Sequence, residues 1–203
     1  MSSTCPIPPT KGWRYTWLEA TVDLRRLLTR YPRTAELRDG TTVVLRPLVP
    51  EDEPALVDLF RGIPAEEIIN LRDNVAEPAV VRRWCRHINY ERVLPIVAEM
   101  GGTLVADATL HRRRVGQWRD VGRLRGYIHP RYRRRGLGAV LLHELIEVAR
   151  LLGLRQLVVE LLEDQHTLVQ MFRRYGFRTD GHLPVYHTVV LVRDIAPAQR
   201  ATA

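Results

Sequence analysis

RLRGYIHPRYRRRGLGAVLLHELIEVARLLGLRQLVVELL, residues 123–162, is the stretch on which the fold turns. It opens on RLRGYIHP, a strand pattern that Pro130 stops, because proline has no amide to give to a ladder. Residues 138–152 follow a helical period. Leu141, Leu145, Val148 and Leu152 make one buried stripe, and Glu144, Glu147 and Arg150 are expected to face out. Gly153 supplies the helix stop. LRQLVVELL, residues 154–162, is a nearly unbroken apolar run, as expected of a strand covered on both faces. Strand, helix and strand in that order imply a right-handed parallel crossover.

Working outward, the neighbouring patterns are mostly antiparallel. TAELRDGTTVVLRPL, residues 34–48, reads as a hairpin turning at Asp39-Gly40, and VLPIVAEMGGTLVADATLH, residues 93–111, as a second one turning at Gly101-Gly102. Between them lie a helix at 50–60 with acidic residues in its first turn, a short helix near 65–71 and a longer one near 78–87. HRRRVGQWRDVG, residues 111–122, reads as a loop. HTLVQMFRRYGF is a further helix ending at Gly176, and YHTVVLVRD a closing strand. The expected fold class is α/β (α+β): a mixed, mostly antiparallel sheet with a central parallel pair and helices on both faces. Residues 34–197 make a single domain and 198–203 a tail. Residues 1–33 form an extension with a Pro-, Ser- and Thr-rich start. Its helix, near 13–30, carries Trp17, Leu24 and Leu28 on one stripe; it either packs on the body or serves as the arm of a homodimer.

Composition narrows the class. The 203 residues suffice for one well-buried domain, and 45% hydrophobic with 27% charged residues is an ordinary globular balance. No run approaches the roughly 18 apolar residues of a membrane span, and residues 1–12 lack the basic head and apolar core of a signal peptide. Cys5 and Cys85 lie far apart with no metal-ligand spacing, which suggests a reduced, cytoplasmic protein without a metal. The net charge is +8, and Lys11 is the only lysine among the basic residues. The planar arginine fork suits phosphates and carboxylates, but an Arg-biased genome produces the same excess with no functional meaning.

The arginine run itself, RYRRRGLG at 131–138, sits where a strand hands over to a helix. The first amides of a helix have no partner, and its N-terminus is the positive end of its dipole. Glycines at 136 and 138 let backbone N–H groups approach a ligand closely, a geometry that binds pyrophosphate. The ATP-loop pattern G-x-x-x-x-G-K-[ST] is absent, and the dinucleotide pattern G-x-G-x-x-G has Leu141 at its third glycine. The pattern [RQ]-x-x-G-x-[GA] is matched in full by Arg133, Gly136 and Gly138.

That last pattern resembles the pyrophosphate motif of the GNAT superfamily of CoA-dependent N-acyltransferases, and the resemblance covers roughly residues 41–195. YIHP is similar to the end of the family's fourth strand, and QHTLVQMFRRYGF to its second CoA segment, closing on Gly176-Phe177. The resemblance implies acetyl-CoA or another acyl-CoA as donor and an amine, on a small molecule or a protein, as acceptor attacking the thioester directly. It implies CoA contacts at Tyr127, Ile128, Arg133, Arg134, Arg135, Gly136, Leu137, Gly138, Ala139, Gln165 and Phe172. It also implies a thioester oxygen polarised by a backbone N–H near 126–128.

The catalytic positions depart from the family. Phe172 stands where many members carry a tyrosine acid, Gln165 where they carry asparagine, and Arg123 near the usual glutamate base. Substitutes are available. Asp107 and His111 alternate with Thr109 on one strand face and could accept the amine proton, while Tyr175 and Tyr186 could serve as acids. Each has a plainer reading, as a satisfied surface or packing residue. Arg123, Arg125 and Tyr127 share another strand face, so the two cations either favour an anionic acceptor or form a solvated edge. Two other classes compete. One is a CoA-binding sensor that has lost turnover. The other is a nucleic-acid-binding protein using HRRRVGQWR and RYRRRG; it ranks last, because aromatics are not interleaved with the charges.

Overall fold

The computed structural model describes residues 22–196 except 69, 70, 72 and 114. Trp17, Cys5, Lys11 and the tail at 198–203 lie outside the described residues. The elements run α1 (Val22–Leu28), β1 (Arg33–Glu36), β2 (Thr42–Pro47), α2 (Glu53–Phe60), α3 (Ala65–Ile68), α4 (Pro78–Arg86), β3 (Val93–Met100), β4 (Thr103–Arg112) and β5 (Val121–Ile128). They continue with α5 (Leu137–Leu151), β6 (Gln156–Leu162), α6 (His166–Arg174), β7 (Arg178–Leu183) and β8 (Thr188–Asp194). The sheet has eight strands in the order β1-β2-β3-β4-β5-β6-β8-β7, and β5–β6 is its parallel pair.

Both hairpins form where turn chemistry demands. Gly40 takes φ 77° while the Asp39 carboxylate accepts from the Thr41 amide at 3.0 Å, and Gly101 and Gly102 take φ 56° and 81° between β3 and β4. The sheet separates two cores. On one face α1, α5 and α6 bury Leu24, Leu28, Leu141, Leu145, Val169 and Phe172 against Leu94, Ile96, Leu110, Leu124 and Leu157. On the other, α2 and α4 bury Leu56, Phe60, Val81 and Cys85 against Val97 and Tyr127. The alternation of Ile96, Val97 and Ala98 between the two clusters is the strand period at work. The mixed sheet, its central parallel pair and its helices on both faces match the expected architecture. Among the described residues, no helix is long and apolar enough to cross a membrane.

Three local expectations change. Glu144 does not face out: it is buried, accepting from the Tyr31 hydroxyl at 2.8 Å and from Arg33 Nη1 at 2.7 Å. Position 144 falls three residues after Leu141 and four before Val148, so it shares their arc. Two partners offset the cost of its burial. Burial, with the Glu144 charge second, raises the Tyr31 hydroxyl well above its ordinary range. β6 is not covered on both faces. Leu157, Val159 and Leu161 are buried, whereas Val158, Glu160 and Leu162 are half-buried and line a cleft. Finally, β7 went unread in the sequence, because its polar RTDGHL is an exposed edge strand with no apolar alternation to betray it.

Candidate active site

The parallel ladder stops early. β5 and β6 pair from Val121↔Gln156 to Leu124↔Val159, yet both strands run on, to Ile128 and Leu162. The next rung would have set Arg125 against Glu160, and instead the strands part there. The amide of His129 donates to Val105 O at 3.0 Å, so the peptide groups of 125, 127 and 129 face β4. Alternation then turns those of Gly126 and Ile128 into the gap. Ile128 O is taken by Arg133 Nε at 2.8 Å. Gly126 is glycine for a reason of space, since a Cβ there would lie 2.9 Å from Asp107 O and 3.3 Å from Ala108 Cα.

The loop beyond β5 closes the mouth of this gap. Arg134 and Gly136 take φ 65° and 94°, and the helix begins at Leu137, so the Leu137 and Gly138 amides head it with no preceding carbonyl in reach. Left-handed residues leading into a helix start gather N–H groups into an anion-binding concavity. Leu137 brings only its amide, because its side chain is in the core. Space does not demand glycine at 138, where a Cβ would meet Ile128 Cδ1 and Met171 Sδ at 3.4 Å, an ordinary contact.

The three arginines divide their labour. Arg133 forks onto Glu67 of α3 at 3.1 and 2.5 Å and lies 5.7 Å from the Tyr127 ring centre, so it braces the strand end. Arg134 is exposed, and Arg135 stands 3.6 Å from Asp39 and over the Tyr132 ring. Pattern matching missed Arg38. The turn between β1 and β2 brings it to the loop, where its amide donates to Arg135 O at 3.1 Å and its side chain covers Gly136. Nothing local in the sequence links Arg38 to the loop. Ala139, one turn into α5, lines a second cleft of about 390 Å³ on that side of the sheet, together with His143 and Tyr175. Gln165 caps α6, and its Oε1 is buried with no hydrogen-bond partner, an acceptor left for a ligand or water. Phe172 is core, edge-on to Phe177 at 5.0 Å. The nest of amides, the orphan amide of Gln165 and the glycine-lined gap fit an extended pyrophosphate-bearing thioester.

On the half-buried side of β6 lies a cleft of about 690 Å³ lined by Arg123, Arg125, Glu160, Asp73, Asn74 and Tyr186, among others. Arg123 Nη1 donates to Glu160 Oε1 at 2.9 Å, and Arg125 Nη1 to Leu71 O at 3.0 Å. Of the four candidate acid–base residues, Tyr186 alone lines this cleft, at its rim. Tyr175 belongs to the second cleft, across the sheet. His111, cross-strand from Arg123, shares a hydrogen bond with Thr109 at 3.0 Å and does not line the cleft.

Asp107 corrects an expectation. It shares a face with Thr109 and His111 but is interior, 3% exposed, with Oδ1 lacking a partner. Burial pushes its carboxyl up to about 7. Burial, followed by the charges of Glu53, Asp52 and Asp107, pushes the Cys85 thiol up to about 12. A raised carboxyl pKa means that the unfolded chain loses its proton first. This residue therefore destabilises the fold progressively as pH rises from about 3.8 to about 7, and by its full amount above that. Asp107→Asn should remove this slope and raise Tm at pH 8 relative to wild type, with little change at pH 4. A lower Tm at pH 8 would show the carboxylate to be stabilising instead.

The comparisons with known proteins agree with this geometry. The Acetyltransferase (GNAT) family model matches residues 63–177, which span α3, the gap between β5 and β6, the amide nest and α6. Among solved structures, the GNAT domain of S. lividans PAT aligns with a TM-score of 0.70 at 22% identity, over 80% of this chain and 96% of that one. Ribosomal-protein-alanine N-acetyltransferase from Brucella melitensis aligns at 0.64 and 22% identity, over 74% and 99%. A GNAT-family acetyltransferase from Streptococcus pneumoniae aligns at 0.61 and 19%, over 76% and 99%. No curated protein matches the chain. With more than half its length matched by the family model and the family's strand gap and phosphate loop in place, the chain belongs to the GNAT acetyltransferase family.

Proposed function

We propose that the protein transfers an acyl group, acetyl in the first instance, from CoA to an amine. The observation that carries this reading is the gap between β5 and β6 opening directly onto the amide nest at 136–138. The nest and the positive end of α5 take the pyrophosphate, with Arg38, Arg134 and Arg135 beside it. In the gap, the Gly126 N–H is the donor for the thioester oxygen, whose charge grows as the carbonyl is attacked. The thioester supplies a good leaving group, since a thiol has a pKa of about 8.5. Phe172 offers no proton, so the thiolate is protonated by solvent or by Tyr186. A cytoplasmic site of action suits the free thiol of Cys85.

The acceptor enters from the cleft. Arg123 and Arg125 suggested an anionic acceptor, but Asp73 and Glu160 set two acids beside them. That balance favours an amine that also carries an anionic group over a purely anionic ligand. A CoA-binding sensor without turnover is the second reading, favoured by Phe172 and by an interior Asp107. Nucleic acid is less well supported than the bare sequence suggested. Arg133 is spent on Glu67, and Arg135 is drawn toward Asp39.

A thermal-shift panel of acetyl-CoA, CoA, NAD, ATP and short duplex DNA tests the class. Ligand at 100 times its Kd adds about 2.7 kcal/mol, worth roughly 5–11 °C in a chain of this size. Acetyl-CoA and CoA should give that shift and NAD and DNA none. A shift with DNA in place of CoA would overturn the reading.

A further inference from the structure

We propose that Glu160 receives the acceptor amine: it anchors the ammonium in the cleft and takes its proton during transfer. This rests on the acyl-transfer reading and adds a residue that neither the pattern nor the family positions named. Glu160 is the single charge in LVVELL, and it lies on the half-buried side of β6 that lines the cleft. It is also the first β6 residue past the last rung of the parallel ladder. In register it would oppose Arg125, next to Gly126, whose N–H points into the same gap. An acyl carbon held at that N–H therefore lies between the strands at the height of the Glu160 carboxylate. The carboxylate lines the cleft and is 23% exposed, so an incoming amine can reach it. The other carboxylate among the described residues lining the cleft, Asp73, sits on the loop before α4 and not on a strand that borders the gap. Asp107 is enclosed in the second core.

The step balances without further reactants. The anchored ammonium first loses a proton to solvent, and the neutral amine nitrogen then attacks the acyl carbon, forming a C–N bond. The resulting N–H⁺, far more acidic than a free ammonium, gives its proton to the Glu160 carboxylate. The C–S bond then breaks, the thiolate takes a proton from solvent, directly or through Tyr186, and Glu160 returns its own proton to solvent. Arg123 Nη1, bonded to Glu160 Oε1 at 2.9 Å, holds the carboxylate at the cleft.

The test compares wild type, Glu160→Gln, Glu160→Asp and Arg123→Gln. Tyramine, glycinamide and lysine methyl ester are the amine probes, and release of CoA thiol is the readout. Acetyl-CoA Kd and Tm are measured alongside. Glu160→Gln should lower kcat about 100-fold or more, within the range of a lost acid–base group, and raise the amine KM, with acetyl-CoA Kd unchanged. Glu160→Asp should recover part of the rate. Arg123→Gln deletes the same ion pair from the other side and should cost much less. Wild-type kinetics in Glu160→Gln would overturn the proposal while leaving acyl transfer standing. Equal losses in Glu160→Gln and Arg123→Gln, with Tm lowered in both, would reduce the pair to a brace between strands and overturn it as well. A wild type that binds acetyl-CoA yet acylates none of the probes would overturn the acyl-transfer reading and this proposal together.

Discussion

Gly136→Asp should weaken acetyl-CoA binding by 100-fold or more while Gly136→Asn stays within about tenfold of wild type. The two side chains have one shape and differ in charge. Both are among the non-glycine residues that enter the left-handed region most readily, so they bear similar strain at the φ of 94° that Gly136 adopts. The nearest obstacle to a Cβ is Arg38 Cγ at 3.2 Å, part of a flexible side chain that can give way. Tm without ligand should therefore fall modestly, and alike, in both variants. The carboxylate would occupy the concavity that the Leu137 and Gly138 amides make, where phosphate charge is to be held. Two like charges about 4 Å apart repel by roughly 4 kcal/mol at an effective dielectric of 20. At about 1.4 kcal/mol per decade, even half of that is over tenfold, and losing the nest as well takes the effect beyond 100-fold. Calorimetric titration of acetyl-CoA into both variants decides the matter. Equal weakening would mean shape alone is at stake; unchanged binding in the Asp variant would move the phosphate site elsewhere.

The second large effect is at Gly126. In Gly126→Ala the new Cβ meets main chain on β4, at 2.9 Å from Asp107 O, and neither strand can yield without opening the ladder. Overpacking of this kind costs about 1–3 kcal/mol, and a chain of this length loses roughly 2–4 °C for each. The N–H facing the gap would shift with the strand, so kcat should fall further than Tm explains. Gly181→Ala is the control, because a Cβ there has nothing within 4 Å and no positive φ to strain. Its Tm should match wild type. A Gly126→Ala protein with wild-type Tm and turnover would show that β4 and β5 do not need this close approach.

What the sequence made legible follows from range. The crossover from β5 through α5 to β6 was readable because period, glycine stop and apolar run are local signals, and so was the nest, which is a run of consecutive residues. The parting of β5 from β6 was not readable: LVVELL is apolar apart from Glu160, and no local period says that a partner leaves after Val159. One signal was nonetheless present. Glu160 is a charge in an otherwise apolar strand, and such a residue needs either a partner or an opening. Glu144 misled in the opposite sense, because a charged residue on a helix reads as solvent-facing unless Tyr31 and Arg33, distant in sequence, are known to meet it. Asp107 and His111 were candidates by alternation, which establishes a shared face but not whether that face is open. At Asp107, 3% exposed between its cross-strand neighbours Val97 and Tyr127 of the second core, it is closed. Arg38 came into the site through a hairpin turn, a contact no motif encodes.

The most direct test of the central claim is an NMR titration of ¹⁵N-labelled protein with acetyl-CoA. The largest amide shifts should fall on Gly136, Leu137 and Gly138 in the nest and on Gly126 and Ile128 in the gap, at a one-to-one stoichiometry. Leu183 and Tyr186, at the acceptor cleft, should move little until an amine is added. Saturable shifts confined to the cleft beside His143 and Tyr175, with Gly126 and Gly138 unmoved, would contradict the account.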